Sequence, residues 1–155
     1  MVSPELLRRY PFFGGLSMDQ ITTLARVADE VTAEPEYYFF HERDELDHFY
    51  LILEGKGAIT IEVPAQGRHI ITSTLGPGDV FAWSALVPPH NATSNVQALT
   101  FCRVISFDCR ELRRSFEQDT LFGYLMMQKT AQVIRERLRD MRIETLADIV
   151  EEANI

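Results

Sequence analysis

Hydrophobic and polar positions change their spacing twice along this chain, and the changes divide it into three parts. Behind Ser17, apolar residues recur at helical spacing over 21–28, and Gln20 completes the spacing of a capping box with Ser17. Over 31–108, short apolar runs alternate with polar residues and are separated by turns that contain Gly or Pro. From Cys109 onward the helical spacing returns. The pattern predicts a helix, then a set of strands, then a helical C-terminal segment.

The middle part consists of short runs rich in β-forming residues. Runs with strand character span 37–40, 49–53, 58–63, 69–75, 94–99 and 102–108, and a short segment at 80–87 lies among them. Strands of this length avoid exposed edges by closing on themselves. We therefore predict a mainly β fold with helices, a double-stranded β-helix (jelly-roll) barrel with an N-terminal helix and a long C-terminal helix. Residues 1–109 would hold the first helix and the barrel, and 110–155 would add the C-terminal helical segment to the same single domain.

The C-terminal segment carries a narrow apolar stripe. Residues 121–142 contain no Pro and only one Gly, Gly123. Five apolar residues follow one another at spacings of 4-3-4-3: Met127, Ala131, Ile134, Leu138 and Met141. This seam predicts a parallel homodimer through the long helix; the other interpretation is that the stripe packs on the chain's own barrel. Beyond Arg142 a different face becomes apolar, so we expect a change of helix or of direction there.

Charge and composition narrow the possible partners. The 155 residues carry a net charge of −8, and residues 1–109 hold fourteen acidic against seven basic side chains. Only 110–142 has a basic excess, so nucleic acid is not expected as a partner of this chain by itself. No apolar run is long enough to cross a bilayer, and two cysteines are too few for a disulfide framework. We expect a cytoplasmic protein without a membrane partner.

Three stretches of the sequence resemble one known family. They read FFGGLSMDQITTLARVADEV, DELDHFYLILEGKGAITIE and LGPGDVFAWSALVPPHNATSNVQALTFCRVISFD. Their order, with a long helix after them, is similar to the cyclic-nucleotide-binding domain of bacterial regulators of the catabolite-activator type. The resemblance implies a jelly-roll sensor domain that is not an enzyme, a phosphate-binding cassette in the third stretch, and a dimer formed through the long helix.

The cassette of this chain follows the family pattern only in part. In the family, a Gly-Asp turn is followed by Phe-Gly-Glu, a short helix, and later an Arg with small residues after it. Backbone N–H groups at the helix start and the Arg hold the cyclic phosphate, while the Glu accepts a ribose hydroxyl. Residues 78–79 and Phe81 match this pattern. Five positions depart from the family residue: Glu36, Arg43 and Ala82 from Gly, Trp83 from Glu, and Ala92 from Arg.

These departures remove the usual counter-charge for a phosphate. No Lys or Arg occurs between Gly76 and Phe101. Burying a phosphodiester without a counter-charge is strongly unfavourable. Arg68 and Arg103 are not at matching positions, so we expect no cation in the nucleotide cavity. We also expect no tight binding of cyclic AMP through the usual Glu and Arg contacts.

The candidate ligand site lies in the cassette. It comprises Phe81, Ala82, Trp83, Ser84, Ala92, Thr93 and Ser94. In one interpretation Trp83 stacks on a flat or apolar ligand and the neighbouring hydroxyls bind its polar groups; in the other, the indole fills the pocket as part of the core. The four histidines are scattered, so we expect no metal site, and no cofactor other than a cyclic nucleotide or another small ligand.

The expected function is that of a stand-alone ligand-sensing or protein-interaction module. Only thirteen residues follow Arg142, too few for a helix-turn-helix unit, so no DNA-binding domain is expected. Two alternatives stay open. One is a genuine cyclic-nucleotide receptor that uses backbone amides of the cassette, and the other is a ligand-free dimeric scaffold. An open cavity beside Trp83 would favour sensing, and a fully packed indole would favour a scaffold.

Overall fold

The computed structural model describes residues 1–153, apart from the side chains of residues 144 and 148. The helices are α1 (Pro4–Arg8), a 3₁₀ turn (Pro11–Phe13), α2 (Met18–Arg26), a second 3₁₀ turn (Trp83–Leu86), α3 (Cys109–Gln118) and α4 (Thr120–Ala153). The strands are β1 (Ala28–Ala33), β2 (Tyr38–Phe40), β3 (His48–Glu54), β4 (Gly57–Val63), β5 (Arg68–Leu75), β6 (Val80–Phe81), β7 (Asn95–Ala98) and β8 (Cys102–Asp108). The end of the predicted segment 110–155, residues 154 and 155, lies outside the described residues.

The eight strands form two antiparallel sheets that pack around an aromatic core. Their orders are β1-β8-β3-β6 and β2-β7-β4-β5. Phe81 of one sheet contacts Phe39 of the other, with ring centroids 5.1 Å apart. Phe49 stacks on Phe107 at 4.4 Å within the first sheet, and both are fully buried. The predicted jelly roll is confirmed, and in the described part of the chain its two sheets are not joined into a closed ring.

The predicted N-terminal helix is present as α2, and its start is fixed by the predicted capping box. The backbone N–H of Gln20 donates to Oγ of Ser17 at 3.2 Å, and Oε1 of Gln20 accepts from the N–H of Ser17 at 2.9 Å. This exchange satisfies two N–H groups that the first turn of a helix leaves without partners. Ile21, Leu24 and Ala25 are buried on the face of α2 that joins the hydrophobic core.

The long C-terminal helix differs from the prediction at its end. α4 runs from Thr120 to Ala153 without interruption, so the predicted change of direction at Arg142 is wrong. Neither Pro nor Gly occurs after Gly123 in this helix, and nothing in the local sequence breaks it. Beyond Arg142 the apolar residues Ile143, Leu146, Ile149 and Val150 are each more than half exposed.

The buried stripe of α4 lies one residue earlier than the predicted seam. The buried positions are Phe122, Met126, Thr130 and Val133. In the predicted seam, Met127 packs partly against the core and Ile134 is half-buried, whereas Ala131, Leu138 and Met141 are exposed. The domain's own packing thus uses the neighbouring stripe and leaves much of the predicted seam accessible.

Candidate functional site

A tight turn positions the cassette at the end of the first sheet. Oδ2 of Asp79 accepts a 2.8 Å hydrogen bond from the N–H of Gly76, which closes the turn. The N–H of Gly78 donates to the carbonyl of Ile52 at 2.8 Å and anchors the turn on β3. Gly78 has a φ of +89°, a conformation that glycine adopts without steric cost. The predicted short segment 80–87 forms strand β6 and then the 3₁₀ turn that begins with Trp83.

Three non-glycine residues have left-handed backbone where the family pattern has glycine. Glu36 has a φ of 75°, Arg43 of 78° and Ala82 of 67°. Residues with a Cβ rarely adopt these angles, which glycine adopts freely. The backbone thus keeps the conformation that the family's glycines require, although the residues differ. This agreement supports the residue-by-residue match of the cassette with the family pattern.

All seven predicted site residues line one small cavity inside the roll, called here the cassette cavity. Its volume is about 20 Å³, and Phe40, Leu46, Ile59 and Val96 complete its wall. That volume suffices for about one water molecule. Phe81, Ala82, Ser84 and Ala92 are buried there, Trp83 and Ser94 are half-buried, and Thr93 is exposed. The structure brings the predicted residues together, but in this conformation their cavity is too small for a phosphate.

A larger cavity lies between the second sheet and α4, and is called here the α4 cavity. Its volume is about 240 Å³. It is lined by Ile59, Ile61, Thr72, Ser73, Trp83, Thr93, Ser94, Ile134, Arg137, Leu138 and Met141. Trp83, Thr93 and Ser94 border both cavities. The indole of Trp83 is therefore not wholly enclosed in the core, and one part of it faces a cavity of ligand-binding size.

A guanidinium lines the α4 cavity, whereas none of the described Lys and Arg residues lines the cassette cavity. Arg137 lines the cavity, and only 14% of its side chain is exposed. Its Nη1 lies 3.4 Å from Oδ2 of Asp140, which also accepts a 2.8 Å hydrogen bond from the hydroxyl of Ser73. Its Nε is buried without a hydrogen-bond partner among the described residues. Charge-assisted N–H···O distances are usually about 2.7–2.9 Å, so the positive charge is poorly compensated.

The spacing of the buried residues of α4 points to Arg137, which lies outside the cassette in the sequence. Arg137 follows Val133 by four residues and so continues the buried stripe of α4 toward the second sheet. Arg68 and Arg103 do stay outside both cavities, as expected. Arg68 is exposed at the start of β5, and Arg103 pairs with Glu30 at 2.7 Å on the outside of the first sheet.

Other reactive groups in the domain have structural surroundings. Burial raises the pKa of the Cys109 thiol to about 12, and burial also raises the pKa of Cys102. Both thiols are therefore protonated at neutral pH and are poor nucleophiles. Within residues 1–153, no three His, Cys, Asp or Glu side chains come together as metal ligands. No helix in that range combines the length and the apolar character needed to span a bilayer.

Two sheets rolled around an aromatic core, with a cassette and a long helix bordering a cavity, define a jelly-roll domain. The sequence model of the cyclic nucleotide-binding domain matches residues 30–119, more than half of the chain. The chain belongs to the cyclic nucleotide-binding domain family. The match confirms the resemblance stated from the sequence and the expectation of a regulatory domain, since members of this family are typically not enzymes.

Individual relatives agree with this assignment. The chain is 28% identical over 146 residues to the CRP-like cAMP-activated global transcriptional regulator of Mycobacterium tuberculosis, and the match covers 94% of this chain and 62% of that regulator. A candidate cyclic nucleotide-binding protein from Geobacter metallireducens GS-15 has a similar structure, with a TM-score of 0.79, 28% identity, and coverage of 89% of this chain and 99% of that one. The N-terminal domain of a transcriptional regulator from Streptomyces coelicolor A3(2) gives a TM-score of 0.68 at 26% identity, with coverage of 88% and 94%.

Proposed function

We propose that this domain is a regulatory sensor whose small-molecule ligand binds in the α4 cavity, beside Trp83. The observation that carries the proposal is the cavity of about 240 Å³ between Trp83 and α4. Its wall combines apolar side chains with a few polar groups, which is the usual composition of a small-molecule site. A ligand there would contact both the cassette and the long helix, so its binding would affect both elements.

The usual Glu and Arg contacts to a cyclic nucleotide are not part of this proposal. Trp83 and Ala92 occupy the positions of those two residues, and the cassette cavity beside them has a volume of only about 20 Å³. A cyclic-nucleotide receptor that uses cassette amides is the second candidate, because the M. tuberculosis relative is described as cAMP-activated. A ligand-free scaffold is disfavoured by the volume of the α4 cavity.

A ligand screen with a cavity-filling variant tests the proposal. Thermal unfolding is measured with a panel of metabolites that includes cyclic AMP and cyclic GMP. A compound that binds the folded state raises Tm, and the rise increases with the logarithm of its concentration above Kd. We expect at least one compound other than a cyclic nucleotide to raise Tm of the wild type. Ile61→Phe, which places a larger side chain in the α4 cavity, should abolish that shift.

The matched control is Ile71→Phe. Ile71 lies on the adjacent strand β5, is 46% exposed and does not line the α4 cavity. Phenylalanine is well tolerated in strands, so both variants should fold. The control should keep the full ligand-induced shift. A panel in which no compound stabilises the wild type would contradict the sensor proposal, and micromolar binding of cyclic AMP or cyclic GMP would favour the second candidate.

Dimerisation through α4 is also part of the proposed function, as is a cytoplasmic location. Members of the family often act as dimers. Leu138 and Met141 expose 59% and 40% of their surface, and both border the α4 cavity. A second copy of α4 laid on them would bury this surface and enclose the cavity. Both cysteines are free and buried, which suits a reducing compartment.

A further inference from the structure

We infer that the ligand of the α4 cavity is a small apolar carboxylate whose anionic group is held by Arg137. This inference rests on the sensor function proposed above and specifies its ligand. It is drawn from four properties of the cavity: its size, its mainly apolar wall, the poorly compensated charge of one guanidinium and the placement of one indole.

The size of the α4 cavity suits a small organic molecule. Its volume is about 240 Å³, whereas the cassette cavity next to it, with about 20 Å³, holds about one water molecule. A ring or a short aliphatic chain with one carboxylate fits within the α4 cavity.

The wall is mainly apolar, and Thr72, Ser73, Thr93 and Ser94 add hydroxyl groups to it. Ile59, Ile61 and Trp83 come from the sheet and the cassette, and Ile134, Leu138 and Met141 come from α4. Such a surface favours a ligand that loses apolar area to it. The indole of Trp83 offers a flat face on which a ring or an extended chain can stack.

Arg137 supplies a counter-charge for a carboxylate. Its side chain lines the cavity and is 14% exposed, so part of it is accessible there. Its Nη1 lies 3.4 Å from Oδ2 of Asp140, which is longer than a typical charge-assisted hydrogen bond, so a second anion can pair with the guanidinium. The planar guanidinium matches the two oxygens of a carboxylate.

The charges around Arg137 favour a monoanion over a neutral molecule or a dianion. Arg137 is the only Lys or Arg in the wall of the α4 cavity, and no His lines it. Asp140 is 40% exposed and compensates the guanidinium only from the rim. A neutral ligand would not compensate the charge of Arg137. A dianion would bring a second negative charge into a cavity whose described wall holds no second cation.

Titrations with matched pairs of probes test the inference. The probes are benzoate, 3-phenylpropionate and hexanoate, each compared with its neutral primary amide. Trp83 is the only tryptophan of the chain, so intrinsic fluorescence excited at the indole reports directly on this cavity, and calorimetry supplies an independent affinity. We expect at least one carboxylate to bind at least about tenfold more tightly than its amide, because only the carboxylate pairs with the guanidinium.

Variants of the helix assign the effect to one side chain. Arg137→Gln should weaken carboxylate binding about 10- to 100-fold and leave amide binding nearly unchanged. Arg135→Gln removes the same charge from an exposed position outside the cavity and should leave both affinities unchanged. Asp140→Asn keeps the side-chain shape and removes the competing acid, so it should tighten carboxylate binding. This last variant retains Arg137 and keeps the test decisive if Arg137→Gln fails to fold.

The outcomes separate this inference from the proposed function. Equal affinities of every carboxylate and its amide would overturn the inference. A carboxylate affinity that neither Arg137→Gln nor Asp140→Asn changes would also overturn it. The sensor function would still stand if another compound gave a Tm shift that Ile61→Phe abolishes. Failure of every compound to bind the α4 cavity would remove both.

Discussion

At the scale of single residues, backbone conformation links the cassette to the rest of the roll. Arg43 and Glu36 have positive φ angles that cost a residue with a Cβ about 1–2 kcal/mol each. The backbone N–H of each residue donates a hydrogen bond to a carbonyl within residues 92–98. The N–H of Arg43 donates to Ala92 at 2.8 Å, and the N–H of Glu36 donates to Ala98 at 2.8 Å. The left-handed positions therefore persist without glycine because the surrounding backbone fixes them.

Gly55 gives a residue-scale prediction, because it combines a positive φ with a close backbone approach. Its φ is +98°, and a Cβ there would lie 2.2 Å from the carbonyl oxygen of Phe101 and 2.9 Å from Sγ of Cys102. We expect Gly55→Ala to lower the free energy of unfolding by about 3 kcal/mol or more, the sum of conformational strain and overpacking. Urea unfolding measures this loss.

Gly15→Ala is the control for that substitution. Gly15 has a φ of +85°, and no atom lies within 4 Å of a Cβ built on it. It should therefore show the conformational cost alone, about 1–2 kcal/mol. Equal losses for the two variants would mean that the approach of Phe101 to Gly55 does not constrain the turn between β3 and β4.

At the scale of elements, the sequence predicts those elements whose signals are local. The capping box of α2 depends on neighbouring residues and is confirmed. The runs 58–63 and 69–75 are found as strands β4 and β5. β1 was missed because it is an edge strand whose interior residues 29–32 are all exposed, so its sequence shows no alternation. The sequence does not predict which stripe of α4 packs inside, since a 4-3-4-3 spacing of apolar residues does not distinguish a seam for a partner from a stripe for the core. The buried stripe lies one residue before the predicted seam, and the seam stays a prediction of the dimer surface.

The candidate site shows the same difference between local and distant signals. The seven cassette residues are close in sequence, and a family pattern places them together. Arg137 comes from a helix more than forty residues later, and only the packing of α4 on the second sheet brings it to Trp83. A charged residue within a stripe of buried positions is the sequence feature that points to such a side chain.

The cap of α2 gives an element-scale prediction. Ser17→Ala removes the hydroxyl that accepts from the N–H of Gln20, and it should lower the free energy of unfolding by about 1 kcal/mol. Ser3 precedes α1 in the equivalent position, but its side chain makes no capping hydrogen bond. Ser3→Ala should change stability much less. Chemical denaturation compares the two, and a similar loss for both would show that the cap contributes nothing specific to α2.

At the scale of the whole molecule, the ligand site and the proposed dimer surface share residues. Leu138 and Met141 line the α4 cavity and also belong to the exposed seam. Farther along α4, Ile143, Leu146 and Ile149 each expose more than half of their surface. A ligand that moves Leu138 or Met141 would therefore alter the surface on which a second copy binds, and the two binding events would be coupled.

The dimer can be tested without disturbing the α4 cavity, because Ala131 belongs to the seam and does not line that cavity. We expect the wild type to sediment as a dimer at micromolar concentration. Ala131→Glu places a charge on each side of the two-fold seam, where like charges repel and lose hydration, so it should shift the protein to a monomer. Gln132→Glu adds the same charge at the next exposed position of α4, outside the seam, and should leave the dimer intact. A monomeric wild type, or equal effects of the two variants, would mean that α4 does not pair through this face.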